Sequence, residues 1–424
     1  MRIIVWGINY APEPTGIGPF NTGLAEWLAA QGHEVEMVTT FPYYPEWRKR
    51  TQDRGRLFRT ERAGGVTVRR CWHFVPARVT ALRRILHEAS FLLTSGLRVL
   101  TLRRADVVVA VSPPLALAVP VWLVTRIWRR AYVFHVQDLQ PDAAVGLGML
   151  RPGRFTRMLY ALERFAYRRA ALVSGISDGM LAAFAAKGVS ESRRAYFPNW
   201  VADVLPGAPT AEAQAVARSA FGRRHDIPPG AFLLVYSGNV GMKQGLAVLL
   251  DAAAVAAPGA RELSWVVVGD GAGKAALERA LAECGPAERG VAAVRLLPLQ
   301  PEDLFAEMLI AADVCVITQQ KGSGQYFFPS KLLTALGQAK PVLAVADGGS
   351  ELAKAVVAGG FGVVAPPDDP AAVARAAAEM ASAGATQLSQ WGMNGLAWVG
   401  RFRRTAVLGE FERSLLRFGA RARR

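Results

Sequence analysis

The sequence predicts an α/β protein built from two Rossmann-like domains with parallel sheets. Three observations carry this. Short β-branched apolar runs alternate with helical patterns along most of the 424 residues. Gly- and Pro-rich turns follow the apolar runs, as they do where strands of an open parallel sheet lead into helices. The alternation stops once, over the Pro- and turn-rich stretch 197–210, and then resumes.

The elements follow in order. Arg2–Tyr10 reads as a strand, Asn21–Gln31 as an amphipathic helix and Glu34–Thr39 as a second strand. Asp106–Val111, Ala131–Val136 and Ala171–Ile176 continue as apolar runs, each leading into a loop and a helical pattern. After the linker come strands at Phe232–Ser237, Leu263–Gly269, Val294–Leu297, Val314–Thr318, Val342–Val345 and Gly362–Val364. Helices are expected at Leu246–Ala256 and Lys274–Cys284 between the first of these. Domains of residues 1–204 and 205–395 result, with a basic helical segment, 396–424, expected to cross back to the first domain. Two such domains make a cleft at the carboxyl ends of their sheets, where open α/β sheets bind ligands.

Composition narrows the class. At 51% apolar and 20% charged residues, the chain buries more than one core. Three dispersed cysteines, Cys71, Cys284 and Cys315, make neither a disulfide framework nor a zinc site and fit a reducing compartment. MRIIVWGINY has no export-signal pattern. The longest uncharged stretch, Val107–Thr125, divides at Pro113-Pro114 into a strand and a short helix that Pro120 interrupts, so a membrane span is not expected. The net charge of +16 is uneven: residues 1–204 carry +13, and Arg48–Arg104 hold 15 basic against 3 acidic side chains. Such a field attracts phosphate groups; an arginine-rich composition shared by the whole proteome is the bland alternative.

Chemistry is expected in four loops. Ala11–Phe20 places Gly16 and Gly18 before a helix, though without a dinucleotide fingerprint. Tyr236–Leu246 surrounds Lys243 with Gly238, Gly241 and Gly245, a turn suited to a diphosphate; it lacks the spacing of a P-loop. Val268–Glu278 offers Asp270 as a helix cap. Phe327–Leu352 sets Ser330 and Lys331 at a helix start, where donors suit a phosphate or a sugar hydroxyl. Each has a plain structural reading too: turn, solvated lysine or N-cap.

Together with HVQDLQPDAAVGLG (135–148), FPNW (197–200), LPLQ (297–300), PSKL (329–332), INYAPEPTGIG and FPYYPEW, these loops resemble the retaining GT-B glycosyltransferases of family 4. Within that family the motifs are similar to the colanic-acid biosynthesis enzymes of bacterial exopolysaccharide pathways, over residues 1 to about 365. The resemblance implies a nucleotide-sugar donor, leaning towards GDP-fucose. Lys243 would hold its diphosphate, with Asn239 where many relatives have an arginine. Gly16, Gly18 and Gly238 would approach the phosphates, and Ser330 and Lys331 the diphosphate or sugar. Asp270, Leu297 and Gln300 would lie near the nucleoside. Relatives often carry two glutamates eight residues apart; Tyr326 and Thr334 stand there, which puts ribose recognition at Thr334 in question.

The mechanism implied is same-face attack, with the leaving diphosphate taking the acceptor's proton. His135, Asp138 and Asp142 are expected on a loop facing the cleft, as catalytic groups at the acceptor hydroxyl or donor sugar, though His135 also reads as a buried strand-end histidine. No Asp-x-Asp occurs, so no metal or other cofactor is expected. The resemblance implies an acceptor linked to an isoprenoid diphosphate at the inner face of the membrane, and a cytoplasmic, peripheral enzyme. Leu82, Ile85, Leu86, Ala89, Leu93, Leu97 and Leu100 repeat at helical spacing among Arg83, Arg84, Arg98, Arg103 and Arg104, a segment able to dock on an anionic membrane surface. A core helix with a solvated basic edge is the other reading. Two further functions fit parts of the sequence: a non-catalytic basic binding protein and a nucleotide-sugar epimerase of similar fold. No RRM, KH, zinc-finger or helix-turn-helix signature supports nucleic acid as a partner.

Overall fold

The computed structural model describes residues 1–421 except 79, 147, 149, 152, 257–261, 284–293 and 325–329. The chain forms two compact units, Met1–Asn199 with Thr405–Arg424, and Trp200–Arg404.

The first unit begins β1 (Arg2–Trp6), α1 (Gly18–Ala30), β2 (Glu34–Thr40), β3 (Phe58–Ala63), β4 (Val66–Cys71) and α2 (Ala81–Leu100). It continues β5 (Val107–Ser112), α3 (Ala118–Trp128), β6 (Ala131–Val136), α4 (Gln140–Gly146), α5 (Arg154–Arg169), β7 (Leu172–Gly175), α6 (Asp178–Ala186) and β8 (Arg194–Tyr196). The sheet order is β3-β4-β2-β1-β5-β6-β7-β8, parallel except for β3. The centre, β1 and β5, is an Ile/Val run buried on both faces, as a parallel sheet covered by helices requires.

The second unit runs α7 (Ala211–Arg224), β9 (Phe232–Ser237), α8 (Ala247–Val255), β10 (Leu263–Val268), α9 (Lys274–Glu283), β11 (Val294–Leu297), α10 (Glu302–Ala311) and β12 (Val314–Thr318). It ends α11 (Ser330–Gly337), β13 (Val342–Val345), α12 (Glu351–Gly359), β14 (Gly362–Ala365), α13 (Pro370–Ser382) and α14 (Ala385–Val399). All strands are parallel, in the order β11-β10-β9-β12-β13-β14. Alternate residues of β9 feed opposite cores: Leu233 and Val235 pack with Met308, Leu332 and Phe361, and Phe232, Leu234 and Tyr236 with Leu249, Trp265 and Met380. Side-chain caps start several helices. Thr210, Ser350 and Asp369 each accept the backbone N–H three residues on, at 3.1, 3.1 and 2.8 Å. The last helix, α15 (Arg404–Arg421), returns to the first unit.

Several expectations change. β1 ends at Trp6, not Tyr10, and the last helical stretch is not continuous from Trp398. It breaks over Gly400–Arg403, because Val201 of the linker takes the local backbone bonds, donating to Phe402 and accepting from Arg404, both at 2.9 Å. Pro120 does not interrupt α3. It sits in the first turn, where a missing N–H costs nothing. No described helix is long and apolar enough to cross a membrane. Cys71 and Cys315 are free and buried; the Cys284 end of the α9 expectation lies outside the described residues.

The basic stretch contains the β3–β4 hairpin, turned at Gly64-Gly65, which was not expected. Its arginines are engaged. Arg59 pairs with Asp53 and Glu61, Arg69 with Glu36 (2.6 Å) and Arg70 with Glu61 (2.8 Å), so these three contribute little to a field facing outward.

Candidate functional site

In the second unit the predicted donor residues gather at the carboxyl ends of the strands. The β9 loop carries Gly238, Asn239 and Lys243; Asp270 follows β10; Leu297 ends β11, and Gln300 follows it. Backbone bonds tie these loops together. Gly238 N–H donates to Val268 (2.9 Å), Val240 N–H to Asp270 (2.8 Å), Gly269 N–H to Leu297 (3.0 Å) and Gln320 N–H to Lys243 (2.8 Å). The approach is too close for side chains. A Cβ on Gly269 would stand 1.8 Å from the Gly238 carbonyl oxygen.

Lys331, in the first turn of α11, reaches back to the β9 loop. Its ammonium nitrogen donates to the Tyr236 hydroxyl and lies 4.0 Å from the centre of that ring. The Tyr236 hydroxyl in turn donates to the Asn239 carbonyl (2.7 Å). Gly238, at φ +139°, leaves the room: a Cβ there would come within 2.3 Å of Lys331 Cε. The amine has no carboxylate neighbour among the described residues, and burial pushes its pKa down to about 7. Tyr236 was expected as the end of the strand and the first residue of the Lys243 loop, without a role of its own, since a tyrosine in a buried apolar run gives no other signal.

The rest of the predicted set is placed as follows. Ser330 opens α11 and is exposed, and Thr334 is exposed one turn on. Asp270 does not cap α9. Its carboxylate accepts from the Gly271 N–H (2.8 Å), and the helix starts only at Lys274. Gln300 folds onto its own loop, donating to the Pro298 carbonyl (2.8 Å). Tyr326 lies outside the described residues.

In the first unit, Gly16 (φ +67°) lies on the β1–α1 loop and Gly18 opens α1. Glu13, which the sequence reading passed over, organises this loop. Its buried carboxylate accepts the N–H groups of Tyr43 and Tyr44 (3.0 Å each) and the Asn9 amide (2.7 Å). Burial raises its pKa, and the three donors work against that. The loop is thereby bolted to FPYYPEW, the neighbouring motif.

The expected catalytic trio separates. His135 is not on the loop; it lies within β6, 2% exposed, because the strand runs on to Val136. The Gln137 amide donates to Nε2 (2.9 Å), which leaves Nδ1–H for the Ser174 hydroxyl (3.0 Å), and the ring packs on Phe197. Burial holds it neutral, its pKa pushed down to about 3. Asp142 is in α4, where its carboxylate pairs with Lys187, which also binds Glu163 (2.7 Å). That network joins α4, α5 and the end of α6 and engages Asp142 structurally. Asp138, half-buried on the bend after β6, is the member on the loop.

Among the described residues no cluster of potential metal ligands occurs. Family comparisons fit this layout. Residues 15–200 match the glycosyl transferase 4-like domain, and residues 231–383 match the glycosyl transferases group 1 domain. The chain is 34% identical to the putative colanic acid biosynthesis glycosyl transferase WcaI of Escherichia coli K12, over 83% of this chain and 85% of that protein. It is 28% identical to the probable glycosyltransferase WbjE of Pseudomonas aeruginosa, over 64% and 65%. The sucrose-phosphate synthase of Thermosynechococcus elongatus superposes with a TM-score of 0.74 at 17% identity, covering 98% of this chain and 99% of that one. The fold is GT-B, and the enzyme is a glycosyltransferase. The chain belongs to the family 4, group 1 glycosyltransferases.

Proposed function

We propose that this enzyme is a retaining transferase of polysaccharide biosynthesis, moving a sugar from a nucleoside-diphosphate donor to a lipid-diphosphate-linked glycan. The observation that carries the donor half is Lys331 on Tyr236, a largely buried amine with no acidic partner among the described residues, beside the Lys243 loop. A lysine on the glycine-rich β9 loop and another in the first turn of α11 that reaches that loop suit a diphosphate leaving group. WcaI, by its name a colanic acid enzyme, supports the pathway class, and solved structures of Anabaena HepE with UDP and UDP-glucose support the donor class. In the transfer the anomeric carbon–phosphate oxygen bond breaks as the acceptor oxygen bonds to the same face, and the acceptor's proton passes to the departing diphosphate. Asp138 is the carboxylate we assign to the acceptor hydroxyl or donor sugar. His135 acts through Gln137, as a positioning residue.

The membrane half rests on α2. Leu82, Ile85, Leu86, Leu93, Leu97 and Leu100 are all exposed, from 49 to 68%. The buried face holds His87, Thr94 and Ser95 beside Phe91 and Val99. An amphipathic helix with its leucines outward is the reverse of a core helix and suits an interfacial one. Arg83, Arg103 and Arg104 are exposed beside it, while Arg84 pairs with Glu88 (3.2 Å) and Arg98 donates to Thr60 (2.8 Å).

The test is a thermal-shift screen against GDP, UDP, ADP and CMP, since a ligand that binds only the native state raises its stability. One nucleoside diphosphate should stabilise wild type, GDP being the expectation from the family resemblance. Lys243→Ala should fold normally and bind that nucleotide about 10- to 150-fold more weakly, the worth of a charged contact of roughly 1.5–3 kcal/mol. No stabilisation by any nucleoside diphosphate, or an unchanged affinity in Lys243→Ala, would refute the donor assignment.

A further inference from the structure

We propose that the first unit carries a second membrane contact: a groove on α5, lined by Arg164, Phe165, Arg168 and Arg169, that seats the phosphodiester of an anionic phospholipid. It rests on the membrane reading above but uses different residues and a different helix.

The groove is a shallow, open depression along one face of α5, where Ala161, Arg164, Phe165, Arg168 and Arg169 recur at helical spacing. Arg169 is held in place by rings, 5.5 Å from the Trp122 centroid and 5.9 Å from that of Phe165. Those two rings meet edge to face at 5.3 Å, which joins α3 to α5. A guanidinium stacked on rings keeps its donors pre-aligned for a phosphate. None of the three arginines has a carboxylate partner among the described residues, unlike Arg59, Arg69 and Arg70 in the same unit.

Its surroundings say what the phosphate is attached to. Val119, Leu123 and Ile127 are exposed at four-residue spacing along α3, and Phe155 and Met158 are exposed on α5. α3 packs between α5 and α2, whose Gly96 lies against Pro120. Guanidiniums beside outward leucine, isoleucine and phenylalanine match the boundary between headgroups and acyl chains. A second copy of the chain is a poorer occupant, because a two-fold contact through this face would bring arginine against arginine.

The test compares wild type, Arg164→Gln/Arg168→Gln/Arg169→Gln and Leu86→Ser/Leu93→Ser/Leu97→Ser, all full length. It uses phosphatidylcholine vesicles with and without phosphatidylglycerol. The arginine variant should bind the anionic vesicles at least about tenfold more weakly, at about 1 kcal/mol for each charge near such a surface. Its melting temperature and its turnover of a detergent-soluble acceptor should match wild type. If wild type ignores anionic vesicles, the membrane reading fails and this inference with it. If wild type binds, the leucine variant does not, and the arginine variant binds like wild type, only the groove assignment is overturned. It is also overturned if inorganic phosphate at millimolar concentration displaces wild type from vesicles as well as glycerophosphoglycerol does, since the groove would then be a free-anion site. A change of oligomeric state in the arginine variant, without vesicles, would mark a contact between copies instead.

Discussion

At the scale of single residues, Lys331 makes the sharpest statement. An ammonium taken out of water with no counter-ion is costly, so the folded protein lowers the pKa of this amine from 10.5 to about 7. Between those values the unfolded chain binds more protons than the folded one. The burial penalty is therefore fully present below about pH 7 and is relieved as pH rises towards 10.5. A donor diphosphate supplies the missing negative charge and favours the ammonium. Above pH 7, donor binding must then draw a proton onto Lys331. Donor affinity should fall as pH rises from 7 to 9, approaching tenfold per unit. Lys331→Met should bind more weakly at pH 7 and show a flat profile. Calorimetry in buffers of different ionisation enthalpy would measure the proton directly, and no uptake at pH 8 would exclude this role. The lysines were legible because cations in glycine-rich or helix-initiating turns are an unusual pairing. Tyr236 was not, since a ring in a buried strand reads as core. Of the two readings of His135, the buried strand-end histidine holds and the loop residue does not, as the expected strand Ala131–Val136 already implied.

At the scale of elements, the β1–α1 loop shows how one buried side chain fixes a turn. Glu13, 4% exposed, gathers three N–H donors from three residues. Glu13→Ala would leave those donors unsatisfied in a closed space, at about 1–3 kcal/mol for each that finds no water. We expect a loss of at least about 1 kcal/mol in urea unfolding, and Glu13→Gln to recover part of it through its remaining carbonyl oxygen. A Glu13→Ala stability equal to wild type would mean the loop is held elsewhere. The sequence shows such a loop only as Pro and Gly punctuation, because a glutamate's burial depends on partners some 30 residues away. The same blindness hid the β3–β4 hairpin. FRTERA carries no apolar stripe and VTVRRC only Val66 and Val68 of one, and their arginines are matched by Glu61 within the hairpin and by Asp53 and Glu36 from outside it, partners that no local pattern announces. By contrast, β5, β9 and β12 were readable, since strands covered on both faces need continuous Val, Leu and Ile.

At the scale of the molecule, the chain leaves its first unit at Asn199 and returns to it at Thr405. That return is built into the packing. Phe411 of α15 stacks on Phe197 with centroids 3.7 Å apart and planes 6° from parallel, and it lies 6.3 Å from the His135 ring. Glu412 accepts from the Trp27 indole (3.1 Å) and pairs with His33 (3.0 Å), so α15 is fastened to α1 as well. The two-domain layout led to the expectation that this basic tail crosses back to the first domain, but nothing in its local pattern says which side chains it completes there. The packing does: both rings of the stack are almost fully buried, and both belong to the first unit. Phe411→Ala should remove a large buried ring and cost about 3–5 kcal/mol. The loss belongs to the first unit, so the two units should respond differently. Native-state hydrogen exchange should speed up in β1, β5 and β6, while β9, β10 and β12 keep wild-type protection. Binding of the nucleoside diphosphate to the second unit should survive wherever that unit stays folded. Equal acceleration in both sheets would show that the units unfold as one, and no acceleration in β6 would show that α15 is dispensable to the core it covers.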